Sequence, residues 1–402
     1  MIINFSLVNE LFRGFHIQRW NDRIRPMDLL EMDKHAHKMM IAYTIAKYEE
    51  ENNRTINWQT LIKNGIYELI RRIVISDIKS PIYAEIRKNK SVFKELNNYV
   101  FRQIEPKIEN IDIRNELADF LFQDSDKSDL TNRVLEAAHI YSSFWEFQII
   151  KQANPFSYQN IRIETELLNK INYYSDLTGI QKLIHKHTIS NFIDLCGQLR
   201  FQIRWAQVPR VPKTSVLGHI LLVAIISYFF ARENNACEKR LYNAFFGGLF
   251  HDLPEAVTRD IISPVKRSSE EFDLLIKNLE QELAEKEIFP LVEPSWLNEI
   301  KYFSIDEFDN KVSIDGKILN KEITIDMLNK EYNQNRFNPY DGEIIRAADH
   351  LAAFLEAWNS CSAGIKTEEL SQAAQNIKEM YKNKSLGNVA IKNLYSNFKS
   401  VC

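Results

Sequence analysis

GLFHDLPEAVTRDIISPV, residues 248–265, is the stretch on which the reading of this chain turns. It sets His251 beside Asp252, with Glu255 about one helical turn on and Asp260 shortly after. An imidazole, a hard oxygen donor and spare carboxylates therefore meet at one helix end. That donor set suits a divalent cation and a hydrolytic reaction. A His-Asp pair alone also fits a capped, hydrogen-bonded surface pair, so other residues have to agree.

Two more do. Upstream, SVLGHILLVAIISYFFA places His219 in a strongly apolar helical run, where an unpaired imidazole costs free energy that Leu or Ile would not. Downstream, EIIRAADHLAAFLEAW places Asp349 in a second apolar helix, where a buried carboxylate needs a cation. Each has an ordinary alternative: His219 as a core histidine bonded to a carbonyl, and Asp349 paired with Arg346 at helical spacing. Two His and two Asp in the order H…HD…D, each on or ending an apolar helix, favour a four-ligand cage of His219, His251, Asp252 and Asp349.

In this order the residues resemble the HD superfamily of metal-dependent phosphohydrolases, and HDLPEAVTRDIISPVK resembles its bacterial 5′-deoxynucleotidase branch. The features that carry the resemblance are Glu255, Asp260 and Pro264-Val265-Lys266 after the HD pair, Arg204-Trp205 ahead of the first His, and Ala348-Asp349-His350-Leu351-Ala352-Ala353-Phe354-Leu355 at the last ligand. The resemblance spans about residues 200 to 360. It departs at Gly218, where the family usually has an acidic residue, and at an insertion near residues 305–335. The punctuation of three other branches, HD-x-G-H, HD-I-G-K and HD-x-x-E-D, does not occur; Ala256 stands where the last would place its second acid.

The resemblance implies that Arg204 binds phosphate, that Trp205 presses on the sugar, that Asp260 faces the substrate and that Lys266 joins the substrate site. Arg204 also suits its part physically, because a guanidinium fork adds charge and geometry. Glu255 is not needed for the cage, and its spacing suits a general acid or base. Mixed imidazole and carboxylate ligation suits one Mn, Co, Fe or Zn ion better than Mg.

The whole chain is compatible with a small substrate. Its 402 residues carry a net charge of −3 with no basic stripe, which argues against extended nucleic-acid binding. The four cysteines, Cys196, Cys237, Cys361 and Cys402, lack C-x-x-C spacing and read as free thiols of a reducing cytosol. The longest apolar run, residues 220–231, is too short to span a bilayer, and the start shows no targeting signal, so the expectation is a cytoplasmic protein with no membrane partner. Eleven glycines, eleven prolines and recurrent i, i+3, i+4 apolar spacing predict an all-α fold. One stretch differs: residues 311–324 alternate around Asp315-Gly316 and predict a hairpin, read as a surface decoration with a lid or an oligomer contact as alternatives.

The chain also looks duplicated. GIYELIRRIVISDIKSPI at 65–82 aligns without gaps on 248–265, sharing Gly65, Val74, Asp77, Ile78, Ser80 and Pro81. Arg19-Trp20 falls on Arg204-Trp205, His37 on His219, and VLEAAHIYSSFWE on IIRAADHLAAFLE. The expected division is 1–195 and 196–402, two HD-like halves paired within the chain as a pseudo-dimer on which a homo-oligomer could build. In the first half Glu68, Leu69, Arg72 and His139 stand at the places of His251, Asp252, Glu255 and Asp349. Leucine cannot ligate a metal, and an ion pair between Glu68 and Arg72 would fill the space of a cation, so this half is expected to be metal-free. A residual site of His37, Glu68 and His139 is the alternative. The first half reads as a supporting partner, or as a nucleotide binder without catalysis.

The expected activity is removal of phosphate from a small nucleotide, foremost a nucleoside 5′-monophosphate. Hydrolysis of triphosphates or of signalling and cyclic nucleotides is the enzymatic alternative, and a non-catalytic nucleotide sensor the other.

Overall fold

The computed structural model describes residues 2–76, 78–123, 126, 128–259 and 269–399. Helices dominate them, as the apolar periodicity predicts, and the strands form two small antiparallel pairs. One pairs Gln18–Arg19 with Leu29–Leu30 and the other Val312–Ile314 with Lys317–Leu319. The second is the expected hairpin. Asp315 and Gly316 both have positive φ, 51° and 77°, the backbone that a two-residue turn matching strand twist requires.

The insertion is more than a hairpin, because a short helix, Ile325–Lys330, follows it. Beyond that helix, Asn333 Oδ1 accepts the Cys237 amide at 2.8 Å and Asn335 Oδ1 the Lys239 amide at 3.0 Å. These amides belong to the start of the helix Glu238–Phe250, whose first N–H groups have no partner within the helix. The insertion thus secures the near end of the helix that finishes at His251.

Five helices frame the centre. Glu31–Glu51 packs on Leu130–Ala153 in the first half, and Val216–Glu233 packs on Glu238–Phe250 and Gly342–Ser362 in the second. Val216–Glu233 also packs on Glu31–Glu51, so one apolar core runs through both halves of the chain. Val216–Glu233 is long and apolar enough to cross a membrane by length and composition, more than the 220–231 run suggested. Its apolar window is 89% buried inside the protein, and the other helices supply the apolar surroundings that its residues need.

The cysteines depart from expectation. Cys196 and Cys237 are free, but Cys361 is disulfide-bonded. Spacing along the chain says little about which thiols approach in space.

Candidate metal centre

Three helices bring the site together. His219 lies in the first turn of Val216–Glu233, His251 caps the carboxyl end of Glu238–Phe250, and Asp349 lies near the middle of Gly342–Ser362. Gly248 allows the first two helices to approach, since a Cβ there would lie 2.8 Å from Ala224 Cα. The chain leaves the helix at His251, passes through turns, and re-enters a short helix at Glu255–Thr258.

Donor atoms of His219, His251 and Asp252 lie within 4.8 Å of one another, the one such group of three or more His, Cys, Asp or Glu residues among the described residues. Asp349 Oδ1 lies 2.9 Å from His219 Nε2. The imidazole is therefore not bonded to a carbonyl, and Asp349 is directed at His219, while Arg346 reaches the Phe308 carbonyl at 3.4 Å. His251 donates its Nδ1–H to the Gly248 carbonyl, 2.9 Å away. A carbonyl only accepts, so Nδ1 carries a proton and Nε2 is the nitrogen turned towards the carboxylates. That Nε2 is buried, 3.2 Å from Asp252 Oδ2, and has no hydrogen-bond partner.

The charge balance also calls for a cation. Burial drives both imidazoles towards neutrality, yet the neighbouring carboxylates outweigh it. Asp252 and Asp349 raise His251 to about 9, and Asp349 and Glu356 raise His219 against burial and Arg204. Burial opposes ionisation of Asp252 and Asp349 too, but His251 holds the first low and His219 the second. An orphaned imidazole nitrogen facing carboxylates fits a divalent ion.

Arg204 and Trp205 are beside this group. Arg204 Nη1 lies 4.0 Å from Asp252 Oδ2, and its Nε donates to Glu356 Oε2 at 3.3 Å. Trp205 has positive φ, 59°, and donates its indole N–H to the same oxygen at 2.8 Å. Glu255 is buried next to the HD pair, its carbonyl accepting from Gln202 Nε2 at 2.8 Å. Asp260 and Lys266 lie outside the described residues.

Glu356 escaped the sequence reading. It is 1% exposed and gathers Arg204, Trp205, the Thr214 hydroxyl at 2.8 Å and, at 3.6 Å, His219 Nδ1. The signal was present: an acid at the end of the apolar run IIRAADHLAAFLE, aligned with Glu146 in the first half. Glu146 has the matching partners, with Arg19 Nε and Trp20 Nε1 each 3.0 Å from its Oε2. Trp20 also has positive φ, 54°.

The rest of the first-half cluster differs from expectation. Arg72 does not pair with Glu68; its Nε lies 3.3 Å from Glu31 Oε1. Glu68 instead receives Lys38 Nζ at 2.5 Å and faces His139 Nδ1 at 3.3 Å, while Lys34 Nζ lies 2.8 Å from that nitrogen. Two buried lysine side chains therefore occupy the carboxylate and imidazole. His37 is turned away, with Nε2 2.9 Å from the Ile193 carbonyl and Nδ1 3.3 Å from Arg200, so it does not join Glu68 and His139.

No curated protein matches the chain. Among solved structures, an HD-domain phosphohydrolase from Listeria innocua is similar at 15% identity and a TM-score of 0.40, over 53% of this chain and 91% of that one. Residues 196–378 match the family model of the HD domain. The segment that brings His219, His251, Asp252 and Asp349 together is thus the one that is similar to the HD domain.

Proposed function

We propose that the chain is a metal-dependent phosphohydrolase that removes phosphate from a small nucleotide, foremost a nucleoside 5′-monophosphate of the deoxy series. The observation that carries this reading is the meeting of His219, His251 and Asp252 donor atoms within 4.8 Å, with Asp349 on His219 and Arg204 alongside. His219, His251, Asp252 and Asp349 would hold the ion. When bound, it supplies a Lewis acid and lowers the pKa of water.

The chain's own residues do the rest. Arg204, anchored by Glu356, directs its guanidinium towards the HD pair, where it binds the phosphate. Trp205, oriented by the same glutamate, supports the sugar. Glu255, buried at the start of the short helix, moves a proton at the water or the departing oxygen. In this proposal residues 1–195 are a diverged, metal-free copy of residues 196–402. Its support is the matched pair of Arg-Trp-Glu arrangements, at Glu146 and Glu356. In that copy, lysine side chains stand at Glu68 and His139.

The test is incubation of purified protein with nucleoside mono-, di- and triphosphates and cyclic nucleotides, each under Mn, Co, Fe, Zn and Mg, with identification of the released group. Inorganic phosphate from monophosphates supports the reading. Pyrophosphate or triphosphate release assigns the triphosphate alternative, and turnover of nothing in metal-loaded protein overturns the enzymatic reading.

A further inference from the structure

The amino end of the His219 helix is held by a residue from the other half of the chain. Ser215 precedes that helix with extended backbone, and its Oγ accepts the Gly218 amide at 2.9 Å. The same hydroxyl gives its hydrogen to Asp33 Oδ1 at 2.5 Å. Because the carboxylate takes the only hydroxyl hydrogen, the rotor is fixed with a lone pair towards the amide. The His219 amide joins this first turn through the Ser215 carbonyl at 3.0 Å. A negative charge is most favourable at such an unsatisfied helix start.

Gly218 is what admits Asp33. A Cβ at that position would lie 2.7 Å from Asp33 Oδ1 and 2.6 Å from Phe15 Cε1. The first distance is close to that between the Cβ of an aspartate and its own carboxylate oxygens. Asp33, 1% exposed at the start of Glu31–Glu51, thus delivers a carboxylate to about the place where an acidic residue at 218 would carry one. Burial pushes its carboxyl up to about 6, against Arg200 and the Ser215 hydroxyl, so it is mostly ionised at neutral pH.

We propose that Asp33 is a positioning residue for the metal site, an acid supplied by the first half to hold the helix that presents His219. The inference rests on the reading of His219 as a ligand, and a metal ligand held loosely binds more weakly.

The test compares wild type with Asp33→Asn and Ser215→Ala, reading Co²⁺ and Mn²⁺ affinity by chelator competition and hydrogen exchange at the Gly218 and His219 amides. Both folded variants should lose about tenfold or more in affinity, the scale of outer contacts to a metal ligand, and should exchange these amides faster. Should Asp33→Asn not fold, Ser215→Ala carries the test, since it removes only the hydroxyl that links the two. Relocating the acid, as Gly218→Asp with Asp33→Ala and Phe15→Ala, should bind metal more tightly than Asp33→Ala with Phe15→Ala. Folded Asp33→Asn or Ser215→Ala with wild-type affinity and exchange overturns the proposal. Wild type that holds neither ion overturns the reading of the metal centre instead, and exchange at the two amides still decides whether Asp33 holds the helix.

Discussion

Glu356 accepts the indole N–H of Trp205 at 2.8 Å with the oxygen that also faces Arg204. Its other oxygen accepts the Thr214 hydroxyl. Burial disfavours the charge, yet Arg204, His219 and Arg210 hold this carboxyl well below the usual range. Glu356→Ala would remove the nearer of the two carboxylates that face a mostly buried guanidinium. The expected loss is about 3–5 kcal/mol in denaturant unfolding, the usual cost of removing one partner of a buried pair. A loss below about 1 kcal/mol would show that Arg204 re-pairs, and Glu356 would no longer be the anchor of this site.

Metal should bind in one half only. Elemental analysis should find about one tightly held ion per chain, and Asp252→Ala should remove it. His139→Ala should leave it in place, because the amines of Lys34 and Lys38 already fill the space beside His139 and Glu68. A second ion lost on His139→Ala would refute this asymmetry.

Glu255→Ala should retain both the ion and the fold while turnover falls roughly a hundredfold or more, the scale of a general acid or base. Its carboxylate is buried directly after the HD pair. Near-normal turnover in the metal-loaded variant would remove it from the mechanism.

Arg204→Ala should depress turnover far more than Arg19→Ala. Only Arg204 stands 4.0 Å from an HD-pair carboxylate; Arg19 is committed to Glu31 and Glu146. Arg19→Ala should therefore cost stability, with turnover per folded molecule close to wild type at every nucleotide concentration. Equal inactivation of the two folded variants would place the first half in the active site itself.

Acid should weaken the joint between the halves. Glu299 receives Tyr43 and Lys47 from the first half and Lys239 from the second, each at 2.9 Å. Burial raises its pKa, but Lys239 and Lys47 prevail and lower it to about 2. A depressed carboxyl stabilises the fold above its unfolded value, here about 4.5, and the contribution is lost as pH falls towards 2. Glu299→Gln should therefore lower stability at neutral pH, on the order of 2 kcal/mol, and flatten its fall between those values. Parallel pH curves for wild type and variant would contradict it.

Much of this molecule is legible in its sequence because the signals are local. Apolar residues at helical spacing predict helices from contacts within one or two turns, and Asp315-Gly316 predicts its hairpin from the positive φ that both residues tolerate. His251 and Asp252 are read as a helix end because the apolar pattern stops there. His219 and Asp349 stand out as polar groups in apolar helices, and the structure sets them 2.9 Å apart. Asp260 and Lys266 were equally visible as letters, but lie outside the described residues.

The choice of partners among buried charges belongs to the tertiary structure. Glu68 and Arg72 have the spacing of a helical ion pair, worth only a few tenths of a kcal/mol, and each leaves the other for a partner on a different segment, Lys38 and Glu31. His37 aligns with His219 and yet turns to Ile193 and Arg200. Glu356 and Asp33 look like ordinary acids until the fold brings Trp205 and Ser215 to them across 151 and 182 residues. The reason is the low dielectric of the interior, where an ion must be paired with whatever the packed helices place beside it, and sequence spacing does not carry that proximity.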